Sequence, residues 1–292
     1  MKLAILGPSP AKSGHTTNRI LDEARRVFKK VEHIPLIDVK LELGGGRLDA
    51  VYKKDSLGKF DYVLPRIDSK RAVIGYPVIS FLDSIGVKKP YPAETVLIAH
   101  NKFLTLHKLL AAGIPVPKTW LTGSKAAAKE LLDKQKMPIM LKLLSGFGGM
   151  GVMFMDSKEA AQSAIETIKT LKQEICLEEF LPNPGEDIRG IVAGEEIIAS
   201  YKRVATPEEK RANIHAGGKG VPFKLTPEME ETALKAAKAV GAEICAIDMI
   251  QSGKKLYVIE VNINPGLQGI EKATNINVAQ RMVDFIKSEL KG

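Results

Sequence analysis

Two neighbouring runs of alternating apolar and polar residues lie within residues 244–269. Both runs are rich in β-branched side chains, and the Gln-Ser-Gly-Lys sequence between them, at residues 251–254, is typical of a turn. This pattern predicts a β-hairpin. Because successive side chains of a strand point to opposite faces, Glu260 and Asn262 lie on the same face of its second strand.

The predicted hairpin carries a candidate metal site. Pairing of Asp248 with Val258 places Asp248 on the face that Glu260 and Asn262 share. Two carboxylates buried close together are costly unless a cation neutralises them. Oxygen ligands without a nearby His or Cys favour Mg²⁺ over Zn²⁺, and Mg²⁺ in such a site completes its shell with water and phosphate oxygens. The alternative interpretation is a surface strand whose solvent face is acidic.

The same periodicities predict strands and helices along the rest of the chain. The predicted strands are residues 2–7, 31–37, 49–53, 62–65, 138–142, 174–181, 188–192 and 196–204. The predicted helices are residues 18–30, 78–85, 102–112, 125–135, 157–172, 226–240 and 276–290. Alternation of strand and helix up to about residue 95 indicates a small doubly wound α/β domain.

A glycine-rich segment follows the predicted strand that ends at Lys142. Residues 145–151 contain four glycines, which allow backbone N–H groups to approach an anion closely. The lysine adds a point charge for the same phosphate. The segment lacks the endings of both the Walker loop and the dinucleotide-binding loop. A glycine-rich hairpin without a ligand is the alternative.

Three cations occur in or beside predicted strands. Lys202 and Arg203 lie within a β-branched strand, where buried cations mark a sheet edge or an anion site. Arg66 follows the strand of residues 62–65, at the end where α/β sheets tend to bind ligands. We nevertheless expect Arg66 to be a surface residue.

Composition narrows the class of protein. The chain of 292 residues is 45% hydrophobic, which excludes disorder, and it contains no apolar run long enough to span a membrane. Gly7, Pro8 and Pro10 interrupt the first apolar run before a signal-peptide core forms, so we expect a cytoplasmic protein. Cys176 and Cys245 stand in apolar, strand-like sequence, which favours buried thiols over a disulfide.

The net charge of +9 indicates affinity for anions. Nucleic acid, nucleotide phosphates and an acidic substrate all satisfy this charge. The basic residues are scattered along predicted helices, and aromatic residues make up only 5% of the chain, which leaves few stacking platforms. Nucleic-acid binding is therefore disfavoured as the primary function.

Taken together, these segments resemble the RimK family of ATP-grasp amino-acid ligases, which add glutamate to a carboxylate. The motifs that carry the resemblance are FDYVLPRI, NKFLTLHKLLAAGIPVPKT, the glycine loop, EEFLPNPGEDIRG, KR followed by RANIHAGG, and VIEVNINPGLQGIEKATNINVA. The resemblance implies an α/β (α+β) ATP-grasp fold with an N-terminal Rossmann-like pre-ATP-grasp domain. The expected domains are residues 1–97, 98–176 and 177–292. Departures from the family pattern concentrate in the first forty residues and in the glycine loop.

The resemblance also implies roles for individual residues. Contacts to ATP would come from Lys102, Lys142, Gly148, Gly149, Gly151, Glu179, Phe180, Leu181, Asp187, Arg211, Ala212 and Asn213. In this set the lysines and the glycine loop would hold phosphates, residues 179–181 adenine, and Asp187 the ribose hydroxyls. Two Mg²⁺ ions, or Mn²⁺, would bind to Asp248, Glu260 and Asn262, with Glu260 bridging. Catalytic contacts to the transferred phosphate or the acceptor would come from Arg189, Arg203 and Asn213.

The implied activity is ATP-dependent ligation of an amino acid, glutamate first, to an acceptor carboxylate activated as an acyl phosphate, with release of ADP and phosphate. A non-catalytic module that senses ATP in the same cleft is one alternative. A ligase acting on an amino-group carrier protein in lysine or arginine biosynthesis is another. The identity of the acceptor stays open between a protein tail, a coenzyme and a carrier protein. Relatives imply a homo-oligomer, either a dimer or a tetramer. No membrane partner is expected.

Overall fold

The N-terminal part of the chain is built on a parallel sheet. The computed structural model describes residues 1–144, 151–205 and 218–291, apart from the side chain of Arg47. Its first strands are β1 (Lys2–Gly7), β2 (Lys30–Pro35), β3 (Lys40–Gly44), β4 (Arg47–Tyr52), β5 (Asp55–Ser56) and β6 (Tyr62–Pro65). The accompanying helices are α1 (His15–Val27), α2 (Ala72–Ser84) and α3 (Ala93–Ala99). Strands β2, β1 and β6 form the parallel sheet in that order, and β3, β4 and β5 form a separate antiparallel one.

Helix α2 begins six residues before the predicted start at residue 78. The residue before the predicted start is Pro77, and proline is unfavourable in the interior of a helix. In the structure Pro77 lies inside the helix. The carbonyl that loses its usual N–H partner belongs to Val73, which is 89% exposed, so water satisfies this carbonyl at little cost.

The central part has its own sheet and its own core. Its elements are α4 (Lys102–Ala111), β7 (Thr119–Thr122), α5 (Lys125–Asp133), β8 (Ile139–Lys142), β9 (Val152–Met155), α6 (Lys158–Thr170) and β10 (Ile175–Glu179). The sheet order is β7-β10-β8-β9. Helices α5 and α6 bury Leu132 and Ile165 against Leu141 and Leu177 of the sheet. This core is separate from the rest of the molecule.

The C-terminal part completes the fold with a larger antiparallel sheet. Its elements are β11 (Glu186–Ala193), β12 (Glu196–Val204), β13 (Lys219–Pro222), α7 (Pro227–Val240), β14 (Ile244–Ser252), β15 (Lys255–Asn262), α8 (Gln268–Thr274) and α9 (Val278–Glu289). The sheet order is β13-β12-β11-β14-β15. Its apolar residues share continuous cores with the N-terminal part, so these two parts pack as one body. Among the described residues, no helix is long and apolar enough to cross a membrane.

A buried carboxylate joins the first and last helices. The side chain of Glu23 on α1 is 1% exposed and accepts hydrogen bonds from Arg19 at 3.3 Å, from Arg26 at 2.9 Å and from Asn277 at 2.9 Å. Asn277 is the N-cap of α9. These interactions tie α1 to the start of α9.

We expect Glu23→Ala to lower the free energy of unfolding by about 2 kcal/mol, because it removes the buried acceptor of three hydrogen bonds, those from Arg19, Arg26 and Asn277. The hydrogen bond from Asn277 lowers the pKa of Glu23. A depressed carboxylate pKa stabilises the fold above about pH 4, and this contribution disappears as pH falls through the folded-state pKa. Urea unfolding at pH 7 and pH 3 tests both points. Asp22→Ala is the control, because Asp22 is an exposed neighbour whose ion pair contributes little.

Candidate active site

A cleft separates the central sheet from the C-terminal sheet, and most of the predicted site residues line it. Its described lining includes Lys102, Lys142, Glu178, Glu179, Phe180, Leu181, Asp187, Arg203, Asp248 and Glu260. The lysines and residues 178–181 come from the central part, and the other residues come from β11, β12, β14 and β15. The fold thus brings together side chains separated by more than 150 residues in the sequence.

The register of the predicted metal hairpin differs from the expectation. Asp248 lies opposite Glu260 and Met249 lies opposite Val258, with an irregularity between Asp248 and Met249. The predicted pairing of Asp248 with Val258 is wrong for two reasons: the hairpin pairs Val258 with Met249, one residue away from the expected register, and a β-bulge at Ile259 shifts the partner of Asp248 by one residue more. Directly opposed residues share a face of an antiparallel pair, so Asp248 and Glu260 do lie on one face.

Asn262 lies two residues beyond Glu260, at the end of β15. Its side-chain oxygen accepts a hydrogen bond from the backbone N–H of Asn264 at 2.9 Å. An amide oxygen has two lone pairs, so one is still available for another partner. Asn262 adjoins the cleft and is not part of its lining.

Cross-strand pairs of opposite charge lie at the cleft, whose lining includes Asp187, Arg203 and Asp248 but not Arg189. Arg189 on β11 lies opposite Asp248 on β14, and Asp187 on β11 lies opposite Arg203 on β12. Arg189 donates two hydrogen bonds of 2.6 Å to Asp248, one to each carboxylate oxygen. Arg203 donates a bidentate pair to Asp187 and a further bond of 2.8 Å to Asp248. Two arginines and two carboxylates thus form one buried network.

The two carboxylates of this network differ in acidity. Burial raises the pKa of Asp187 to about 6 against the lowering effect of Arg203. Burial also opposes ionisation of Asp248, but Arg189 and Arg203 together outweigh it, so the pKa of Asp248 lies well below its ordinary value. Asp248 has two cationic partners and Asp187 has one, which accounts for the difference.

The two predicted phosphate lysines also have carboxylate partners. Lys142, at the end of β8, lies 2.5 Å from Glu178 of the neighbouring strand β10, and both residues are buried. Lys102, the first residue of α4, lies 3.6 Å from Glu260. Sequence reasoning did not identify Glu178, because only the pairing of β8 with β10 places it beside Lys142.

Residues 179–185, which we call the hinge, lead from β10 of the central sheet to β11 of the C-terminal sheet. Glu179 ends the strand and accepts a hydrogen bond from the backbone N–H of Lys118 at 2.7 Å. Phe180 packs edge-on against Phe154, with ring centroids 5.2 Å apart. Leu181 is followed by a turn in which Asn183 accepts hydrogen bonds from two backbone N–H groups. Backbone groups of this segment lie beside the cleft, where a planar base would find both hydrogen-bonding and apolar partners.

Gly151 is the last residue of the glycine-rich segment. Its φ is 81°, and a Cβ at this position would lie 3.0 Å from the Cβ of Leu143. Its carbonyl accepts a hydrogen bond from the N–H of Leu143 at 2.7 Å. Both the backbone conformation and the close approach require glycine. The other predicted phosphate and acceptor residues, Gly148, Gly149, Arg211, Ala212 and Asn213, lie outside the described residues.

Other predictions outside the cleft have mixed outcomes. Arg66 is only 5% exposed, so the expectation of a surface residue is wrong. Cys176 and Cys245 are free, buried thiols, as predicted. Burial raises the pKa of the Cys176 thiol to about 11, so it is protonated at neutral pH and unsuited to nucleophilic chemistry.

Comparison with known proteins identifies the family. The model of the RimK pre-ATP-grasp domain matches residues 1–95, and that of the RimK-like ATP-grasp domain matches residues 99–286. The chain belongs to the RimK-like ATP-grasp family. The predicted ATP-grasp fold with an N-terminal pre-ATP-grasp domain is confirmed, and so is the class of ATP-dependent C–N ligase. The exact domain boundaries and the roles of single residues stay predictions.

Individual relatives agree with this membership. A protein of Thioalkalivibrio sulfidiphilus named probable alpha-L-glutamate ligase is 34% identical over 293 residues, covering 100% of this chain and 97% of its own. The RimK domain ATP-grasp protein of Sphaerobacter thermophilus has a similar structure, with a TM-score of 0.74, 20% identity and coverage of 98% and 99%. The structure of the ATP-grasp ligase PsnB, solved with a minimal precursor, Mg and ADP, is also similar, with a TM-score of 0.75 and 16% sequence identity. The match covers 99% of this chain and 98% of PsnB.

Proposed function

We propose that this RimK-like ATP-grasp protein joins L-glutamate to an acceptor carboxylate, which ATP first activates as an acyl phosphate. The observation that carries the proposal is the single cleft in which two lysines, the hinge and the buried Arg–Asp network face one another. The relatives named glutamate ligases support the choice of amino acid. The reaction releases ADP and phosphate.

In the proposed complex the residues of the cleft divide between the parts of ATP. Phe180 and Leu181 hold the adenine, and Asp187 accepts hydrogen bonds from the ribose hydroxyls. Lys142 and Lys102 exchange their present partners, Glu178 and Glu260, for phosphate oxygens. This exchange replaces one anionic partner of each lysine with another, so the ammonium groups stay paired throughout.

The donor set of Asp248, Glu260 and Asn262 fits Mg²⁺ that arrives with nucleotide. Among the described residues, no three His, Cys, Asp or Glu side chains come together as a metal site, so water and phosphate oxygens would complete the shell. Asp248 is already neutralised by Arg189 and Arg203. We therefore expect weak binding of Mg²⁺ without nucleotide. When bound, Mg²⁺ offsets the negative charge of the phosphates; its replacement by Mn²⁺ stays a prediction.

The proposed reaction has two chemical steps. An oxygen of the acceptor carboxylate attacks the γ-phosphorus, the bond to the β-phosphate oxygen breaks, and ADP leaves. The neutral amine of glutamate then attacks the acyl carbon, the bond from that carbon to the phosphate oxygen breaks, and phosphate leaves with the former carboxylate oxygen and takes up the proton that the nitrogen loses. Arg203, which lines the cleft, or Arg189, which pairs with Asp248 of the lining, donates hydrogen bonds to the oxygen that becomes negative in the tetrahedral intermediate.

The test uses a peptide ending in glutamate as the acceptor, with the same peptide amidated at its C-terminus as the control. With Mg-ATP and labelled glutamate, we expect release of ADP that depends on the peptide, and a mass increase of one or more glutamyl residues. An acceptor labelled with ¹⁸O in its carboxylates should transfer one ¹⁸O to phosphate. AMP as product, or phosphate without ¹⁸O, contradicts the acyl-phosphate mechanism. Nucleotide binding without turnover for protein-tail, coenzyme and carrier-protein acceptors favours the ATP-sensing alternative.

A further inference from the structure

Arg66 is a buried cation at the junction of the N-terminal domain with the ATP-grasp part. It directly follows β6, and its backbone N–H donates to the carbonyl of Leu6 at 2.6 Å. Gly7 allows this close approach, because a Cβ there would lie 3.1 Å from the Cβ of Arg66. The guanidinium is therefore fixed at the carboxyl end of the parallel sheet, beneath the surface.

The partner of the guanidinium is a backbone carbonyl. Nη2 of Arg66 donates to the carbonyl oxygen of Pro265 at 3.0 Å. Within the described residues, Arg66 forms no ion pair with a carboxylate, and its Nε has no hydrogen-bond partner there. Burial lowers the pKa of Arg66 to about 10, so the side chain is still charged at neutral pH. A buried charge without a carboxylate is costly, and stability alone does not account for it.

Pro265 belongs to the segment that follows the proposed metal ligand. We refer to residues 262–267 as the Asn262 segment. Within it, the N–H of Asn264 donates to the side-chain oxygen of Asn262, which fixes the orientation of that amide. At its far end, the N–H of Leu267 donates to the hydroxyl of Thr16 at 2.9 Å. Thr16 lies in the first turn of α1, so the N-terminal domain holds the Asn262 segment at two points.

We propose that Arg66 and Thr16 are positioning residues for metal binding: they clamp the Asn262 segment so that the side-chain oxygen of Asn262 faces the Mg²⁺ that accompanies the nucleotide. This inference rests on the proposed role of Asn262. It makes the pre-ATP-grasp domain part of the metal-binding machinery. Neither residue touches ATP or the metal; both act through the backbone between Asn262 and Leu267.

The test measures binding of ADP by calorimetry over a range of Mg²⁺ concentrations. For Arg66→Met we expect the Mg²⁺ concentration at half-maximal enhancement of binding to rise about tenfold, since a hydrogen bond from a charged donor is lost. For Thr16→Val, which keeps the shape and removes the hydroxyl, we expect a rise of about threefold. Arg66→Lys should fall between wild type and Arg66→Met. Binding of ADP in EDTA should be unchanged in all variants.

Arg281→Met is the matched control. Arg281 also donates to a distant backbone carbonyl, that of Ile198, but near the opposite end of the strands from Asp187 and Arg203 of the cleft. We expect it to lower the melting temperature without shifting the Mg²⁺ midpoint. If Arg66→Met lowers the melting temperature and leaves the midpoint within twofold of wild type, the clamp is wrong. If Arg66→Met does not fold, Thr16→Val decides by the same criterion. Wild-type protein that binds ADP independently of Mg²⁺ would contradict the proposed function itself.

Discussion

Replacing Glu260 with glutamine is expected to lower acceptor-dependent release of ADP by on the order of 10³-fold while the protein stays folded. Glu260 lies directly opposite Asp248 and 3.6 Å from Lys102, at the side of the cleft where the phosphates are proposed to bind. Glutamine keeps the size of the side chain and its hydrogen-bonding oxygen. It lacks the negative charge that is proposed to hold Mg²⁺ between the protein and the phosphates.

The stability of this variant should be close to that of wild type. The side chain of Glu260 is 36% exposed, and its ion pair with Lys102 is long, so its loss costs little free energy of unfolding. Glu196→Gln, at an exposed position at the start of β12 on the same sheet, is the control for removal of one carboxylate. Turnover of Glu260→Gln within tenfold of wild type, measured at saturating Mg²⁺, would remove Glu260 from the metal site.

The sequence predicts the long, strongly periodic elements well. The strands at residues 2–7 and 196–204 and the helix at 226–240 agree with β1, β12 and α7 to within one residue. Seven short elements were not predicted: they are β3, β5, β7, β9, β13, α3 and α8. The missed strands contain no buried residue and so show no clear apolar period, whereas the equally short β6 and β8 are apolar and buried and were predicted.

The candidate site, like the fold, could be predicted from the sequence only in part. Alternation alone places Glu260 and Asn262 on one face, because that follows from strand geometry. The bulge that brings Asp248 opposite Glu260 is invisible to this argument, since it depends on how two strands pair. The pairing of Lys142 with Glu178 and the burial of Arg66 likewise depend on tertiary contacts. The sequence therefore predicts which of the described residues meet at the cleft better than it predicts their partners.

Arg203→Met is expected to destabilise the protein by about 3–5 kcal/mol at pH 8, the largest effect on stability among the changes considered. The guanidinium of Arg203 is 4% exposed and is the ion-pair partner of both Asp187 and Asp248. Its removal leaves the carboxylate of Asp187 buried without a cation, whereas Asp248 keeps Arg189. Lys202→Met is the control, because Lys202 directly precedes Arg203 in the strand and its ion pair with Glu186 is partly exposed. We expect Lys202→Met to cost less than about 1 kcal/mol.

The pH dependence of this effect identifies its cause. Even beside Arg203, burial raises the pKa of Asp187 to about 6, and without Arg203 that pKa rises further. A carboxyl whose folded-state pKa is raised stabilises the fold below about pH 4 and loses this contribution as pH rises through the folded-state pKa. The deficit of Arg203→Met should thus grow between pH 5 and pH 8 in urea unfolding. The double variant Asp187→Asn, Arg203→Met should recover part of the loss at pH 8, since it removes the unpaired charge. A deficit independent of pH, with no recovery in the double variant, would mean that Arg203 stabilises the sheet by packing, and its proposed role as a charge partner in the cleft would be wrong.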